Sequence, residues 1–108
     1  MATTRVMVVD DSALVRRMLT DILAQEPNIE VVAAVADGEQ ALAKLESSKP
    51  DVVTLDVEMP GMSGIALLEE IRRRAPRLPV VMFSSLTQRG AMTTLEALAH
   101  GATDYVTK

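Results

Sequence analysis

Five short apolar runs, Val6 to Val9, Ile29 to Val35, Val52 to Leu55, Val80 to Phe83 and Tyr105 to Thr107, alternate with longer amphipathic stretches along the chain. No other feature constrains the fold as strongly. Runs this apolar and β-branched suit strands buried on both faces, the condition found inside a parallel sheet. Between them the period becomes helical. Leu14, Val15, Met18, Leu19, Ile22 and Leu23 fall on one stripe, with Ser12 placed to cap its start and Pro27 just past its end. A second helix opens at Asp37, has Gln40 three residues on as a partial capping box, and buries Ala41, Leu42 and Leu45. A third starts near Ser63 and turns Ile65, Leu68 and Ile71 inward. Its outer face carries Glu69 with Arg73 and Glu70 with Arg74, four residues apart in the favourable order, and Arg72, Arg73 and Arg74 read as a solvated face. A fourth runs from about Gln88 to His100 with Ala91, Leu95 and Leu98 as its stripe and Gly101 as its stop.

The resulting βαβαβαβαβ pattern predicts an α/β fold. It is a doubly wound, five-stranded parallel sheet with right-handed crossovers and helices on both faces, and no fifth helix follows the last strand. A chain of 108 residues without repeats, low-complexity tracts or linker-like segments makes one such domain, 1–108. The absence of cysteine excludes disulfide scaffolds, thiolate zinc sites and cysteine nucleophiles. One histidine, His100, argues against multi-histidine metal centres and a Ser-His-Asp triad. Aromatic residues are 2% of the chain, so a stacking platform for single-stranded nucleic acid is missing. Eleven basic residues against fifteen acidic give a formal charge of −4, the wrong sign for holding a phosphate backbone. The apolar run after the N-terminus ends in two aspartates and is too short for a signal peptide or a membrane span. The expectation is a cytoplasmic domain with no direct nucleic-acid binding and no membrane attachment.

Polar residues gather directly after the apolar runs. The first is followed by Asp10 and Asp11, the third by Asp56, the fourth by Ser84 and Ser85, and the fifth ends on Thr107 and Lys108. In an open parallel sheet, ligands sit outside the carboxyl ends of the strands where the strand order reverses. In the flavodoxin-like order 2-1-3-4-5 that point lies between strands one and three. Asp10, Asp11 and Asp56 then converge on one pocket. Three carboxylates so close repel one another, and a hard divalent cation relieves that repulsion. Mg²⁺ takes a few carboxylate oxygens, keeps waters and contacts phosphate, and Mn²⁺ is the alternative ion. The hydroxyl of Ser84 and the ammonium of Lys108 complete what a phosphoryl group needs, and Asp56 is the candidate carboxylate nucleophile.

The segments VVDDS, DVVTLDVEMPGMSG, PVVMFSS and GATDYVTK resemble the receiver domain of two-component response regulators, in order and spacing, over essentially the whole chain. Within that family, TLDVEMP, SSLTQRG and TLEALAHGATDYVTK are most similar to the N-terminal domains of chemotaxis protein-glutamate methylesterases. The resemblance implies that Asp56 is the phosphoacceptor and that Asp11, Asp56 and the backbone carbonyl of Glu58 ligate Mg²⁺ directly, with Asp10 acting through water. It implies further that Ser84 moves onto the phosphoryl group, that Lys108 is its counter-ion, and that Tyr105 is the switch aromatic. The partners implied are a chemotaxis-type histidine kinase and a C-terminal output domain not contained in these residues. The proline and fifth helix that usually follow Lys108 are absent too, so the expectation is either self-association through the face left uncovered or lower stability than a version extended by such a helix. Without the methylesterase catalytic domain, the enzymatic chemistry of this chain is limited to its own phosphorylation. A rival reading is a Mg²⁺-dependent phosphohydrolase of haloacid dehalogenase type. That class wants a second aspartate two residues after the nucleophile, where this chain has Glu58. A receiver of a transcriptional regulator is a further alternative.

Overall fold

A computed structural model describes residues 3–56, 63–84 and 104–107. Its elements are β1 (Thr4–Val9), α1 (Ala13–Ala24), β2 (Ile29–Val35), α2 (Gly38–Ser48), β3 (Val52–Asp56), α3 (Gly64–Arg74), β4 (Val80–Ser84) and β5 (Asp104–Thr107). All neighbouring strands are parallel, in the order β2-β1-β3-β4-β5. The strand runs read from the sequence all reappear, lengthened by one or two residues except for β2. The expected fourth helix over 88–100 lies outside the described residues.

Register explains why both faces of the strands are apolar. Met7 pairs with Val53 and Val53 with Val80, while Val9 pairs with Leu55 and Leu55 with Met82. These two rows share one face and are almost wholly buried, together with Ala41 and Leu45 of α2 and Leu67, Leu68 and Ile71 of α3. Val6 and Val8 of β1 alternate to the other face, where α1 crosses β1 and β2. The sheet is therefore wound on both sides. No helix among the described residues is long and apolar enough to cross a membrane.

Each described helix begins on the residue that capping chemistry favours. The side-chain oxygen of Ser12 accepts from the Val15 amide at 3.2 Å, Asp37 from Gln40 at 2.9 Å, and Ser63 from Ala66 at 3.1 Å. Such caps are worth about 1 kcal/mol each because they satisfy amides that have no partner within the helix. At the far end of α2, Lys49 takes the left-handed conformation at φ 46°, a position glycine usually fills. The Arg5 guanidinium donates to the Ser48 carbonyl at 2.6 Å and the Lys49 carbonyl at 3.3 Å there, so β1 secures the end of α2.

Two expectations are corrected. The α1 stripe does not bury as a unit: Leu14, Met18 and Ile22 are 68%, 52% and 56% exposed, whereas Val15, Leu19 and Leu23 are half-buried. Only the second edge of the stripe turns to β1 and β2, the strands that α1 crosses. Nor is Arg72 part of a solvated face. It is half-buried, and its guanidinium donates to the carbonyls of Leu78 and Ala75, closing the turn between α3 and β4. Arg73 and Arg74 are exposed as expected, and both pair with Glu70, at 2.7 Å and 3.6 Å.

Candidate functional site

The acidic site follows from strand register. Because Val9 of β1 lies opposite Leu55 of β3, the next residues, Asp10 and Asp56, emerge side by side at the carboxyl end of the sheet. Parallel neighbours are only about 4.8 Å apart, so two carboxylates placed there share one small volume. Asp11 follows at the mouth. One oxygen from each of Asp10, Asp11 and Asp56 can be chosen so that all three lie within 4.8 Å of one another. Asp10 and Asp56 are 1% and 4% exposed, and Asp11 is exposed.

The loop that carries the pair is held from three directions. The Asp10 amide donates to the Val35 carbonyl at the end of β2, at 3.1 Å. Its carboxylate accepts from the Ser12 amide at 2.9 Å, the short side-chain turn aspartate favours. Its carbonyl accepts from Nη1 of Arg16, one turn into α1, at 2.8 Å. Sequence reasoning missed this last contact. The only signal was an arginine four residues after the helix cap, and many exposed arginines share that spacing.

The donor set fits a small hard cation. All three ligand atoms are carboxylate oxygens, the type that Mg²⁺ and Mn²⁺ take. An octahedral ion with bonds of about 2.0–2.1 Å needs adjacent donors about 2.9 Å apart and opposite ones about 4.2 Å apart. A cluster whose oxygens already lie within 4.8 Å meets that with small side-chain movements. The mixed burial suits it also, since two enclosed carboxylates and one at the mouth leave an open side for water or an incoming group.

Of the other residues singled out, Ser84 ends β4, one position beyond the Phe83 that pairs with Asp56, and so belongs to the same end of the sheet. Tyr105 lies in β5, in register with Met82. The side chains of both, and Glu58 and Lys108 altogether, lie outside the described residues.

Residues 6–108 match the sequence profile of the response regulator receiver domain. The chain belongs to the response regulator receiver domain family. This receiver domain is 57% identical over 104 residues to a protein-glutamate methylesterase/protein-glutamine glutaminase of Xanthomonas campestris pv. campestris; the match takes in 96% of the chain but 29% of that relative. The chain thus spans about three-tenths of the length of the curated relatives it matches. Among solved structures it is similar to the response regulator domain of Thermotoga maritima CheB, with a TM-score of 0.89 and 48% identity over 98% of this chain and 78% of that one. It is also similar to a chain of the CheX-CheY-BeF3-Mg²⁺ complex of Borrelia burgdorferi, with a TM-score of 0.87 and 32% identity over 99% of this chain and 79% of that one. The receiver is of the methylesterase type. Neither the haloacid dehalogenase reading nor the transcriptional-regulator reading is favoured by these likenesses.

Proposed function

We propose that this receiver domain, residues 1–108, accepts a phosphoryl group on Asp56 from a histidine kinase of the chemotaxis type and passes the consequence to an attached methylesterase output domain. The observation that carries this reading is the convergence of Asp10, Asp11 and Asp56 at the carboxyl ends of β1 and β3 in a chain of receiver sequence. In the transfer, a carboxylate oxygen of Asp56 forms a bond to phosphorus as the bond to the donor imidazole nitrogen breaks, and the imidazole leaves with the electron pair. Asp11, Asp56 and the Glu58 carbonyl would hold Mg²⁺, with Asp10 acting through water. When bound, the ion offsets the charge of the carboxylates and of the transferred phosphoryl oxygens. Burial of Asp56 limits the access of water to the acyl phosphate that results. Ser84 donates to a phosphoryl oxygen, Lys108 balances its charge, and Tyr105 responds on the neighbouring strand. The site of action is the cytoplasm, where histidine kinases present their phosphohistidine.

Acetyl phosphate and beryllofluoride test the reading directly. Both should modify this protein only in the presence of Mg²⁺ or Mn²⁺, and Asp56→Asn should abolish labelling while the fold is retained. Full phosphorylation of the Asn variant, seen by intact mass, would reassign the acceptor.

A further inference from the structure

We infer that Arg16 is a positioning residue of the acidic site, holding the Asp10–Asp11 peptide so that the exposed Asp11 carboxylate stays within reach of Asp10 and Asp56. The inference rests on the reading of this cluster as a divalent-cation site. Among the described residues no hydrogen bond or ion pair holds the Asp11 carboxylate, so within them its place is set by its backbone. That backbone is fixed on its N-terminal side by the Asp10 carbonyl, the oxygen that receives the Arg16 guanidinium at 2.8 Å. The Arg16 amide donates to the Ser12 carbonyl at 3.0 Å, which locks the residue into the first turn of α1. From there its side chain runs back toward the helix start, the direction helical side chains favour. Arg16 is half-buried while Arg17, next to it, is exposed and faces Asp21 at 3.9 Å. Two adjacent arginines thus carry the same charge, and of the two only Arg16 donates to the loop.

The sign of the effect separates positioning from charge. A guanidinium near a cation site disfavours the cation by simple repulsion, so loss of its charge alone would tighten binding. A residue that orients a ligand from behind does the opposite, and loss of such a partner typically weakens metal affinity by about 10–100-fold. Mg²⁺ binding to the parent, Arg16→Gln, Arg16→Lys and Arg17→Gln, measured by titration calorimetry, decides between them. Urea melts of each variant confirm that it is folded. Arg16→Gln is expected to bind Mg²⁺ about tenfold more weakly, and Arg16→Lys, which keeps the charge and one donor, about threefold more weakly. Arg17→Gln, with the same charge change, should remain within about twofold of the parent. Unchanged or tighter binding in Arg16→Gln overturns the inference, as does an equal loss in Arg17→Gln. Should the Gln variant not fold, parent-like affinity in Arg16→Lys overturns it instead. A parent protein that binds no divalent cation overturns the cation reading of the site and this inference with it, whereas cation binding indifferent to Arg16 overturns the inference alone.

Discussion

Asp56→Asn should make the metal-free protein more stable, although it removes the residue at the centre of the site. Two unit charges 4.8 Å apart, the outer limit for these oxygens, repel by about 3.5 kcal/mol at an effective dielectric near 20 and by about 0.9 kcal/mol in bulk water. The first figure suits the Asp10–Asp56 pair, since both residues are buried, and the second suits the exposed Asp11 against Asp56. Hydrogen bonds to the carboxylates and counter-ions in the buffer offset part of this repulsion, so a net gain of about 1–3 kcal/mol is expected at neutral pH and low salt. The amide is nearly isosteric and adds no volume to the pocket. Urea denaturation in EDTA measures the effect as a higher midpoint with an unchanged slope. Saturating Mg²⁺ should then shrink or reverse the difference, because a ligand that binds only the folded state stabilises the parent more than the variant. An Asn variant that is less stable than the parent in EDTA would refute the electrostatic account of the site.

Further tests probe the framework around the site. The Thr54 hydroxyl, two residues before Asp56, is buried without a hydrogen-bond partner among the described residues. Thr54→Val should therefore be neutral or stabilising by up to about 1 kcal/mol in urea melts. Leu68 of α3 is wholly buried against the sheet, and Leu68→Ala should cost about 2–5 kcal/mol in the same assay. Ser84→Ala should keep Mg²⁺ binding and some phosphorylation yet largely lose the beryllofluoride-induced NMR shift at Tyr105. A parent-like shift in that variant would end the proposed route from β4 to β5.

What the chain reveals without coordinates is whatever rests on short-range physics. Ser12, Asp37 and Ser63 cap their helices because a short polar side chain reaches amides two or three residues on, wherever the rest of the protein lies. The strand runs were legible because a strand covered on both faces excludes polar side chains along its length. The polar residues after those runs could be assigned to one end of a parallel sheet by topology alone. Other features depended on what the fold brings near. Whether Leu14 or Leu19 turns to the sheet depends on how α1 rotates as it crosses β1 and β2, and the sequence stripe includes both. Arg72 and Arg73 look alike in sequence, yet only Arg72 meets the Leu78 carbonyl, because the chain turns back there into β4. Arg16 and Arg17 are likewise adjacent and equal in charge. The helix turns each residue about 100° from the last, so one guanidinium reaches the Asp10 carbonyl while the other stays in solvent. That Asp10, Asp11 and Asp56 share one pocket was readable from the expected strand order; how closely their oxygens approach, within 4.8 Å, required the Val9–Leu55 register, a long-range pairing that only the assembled sheet decides.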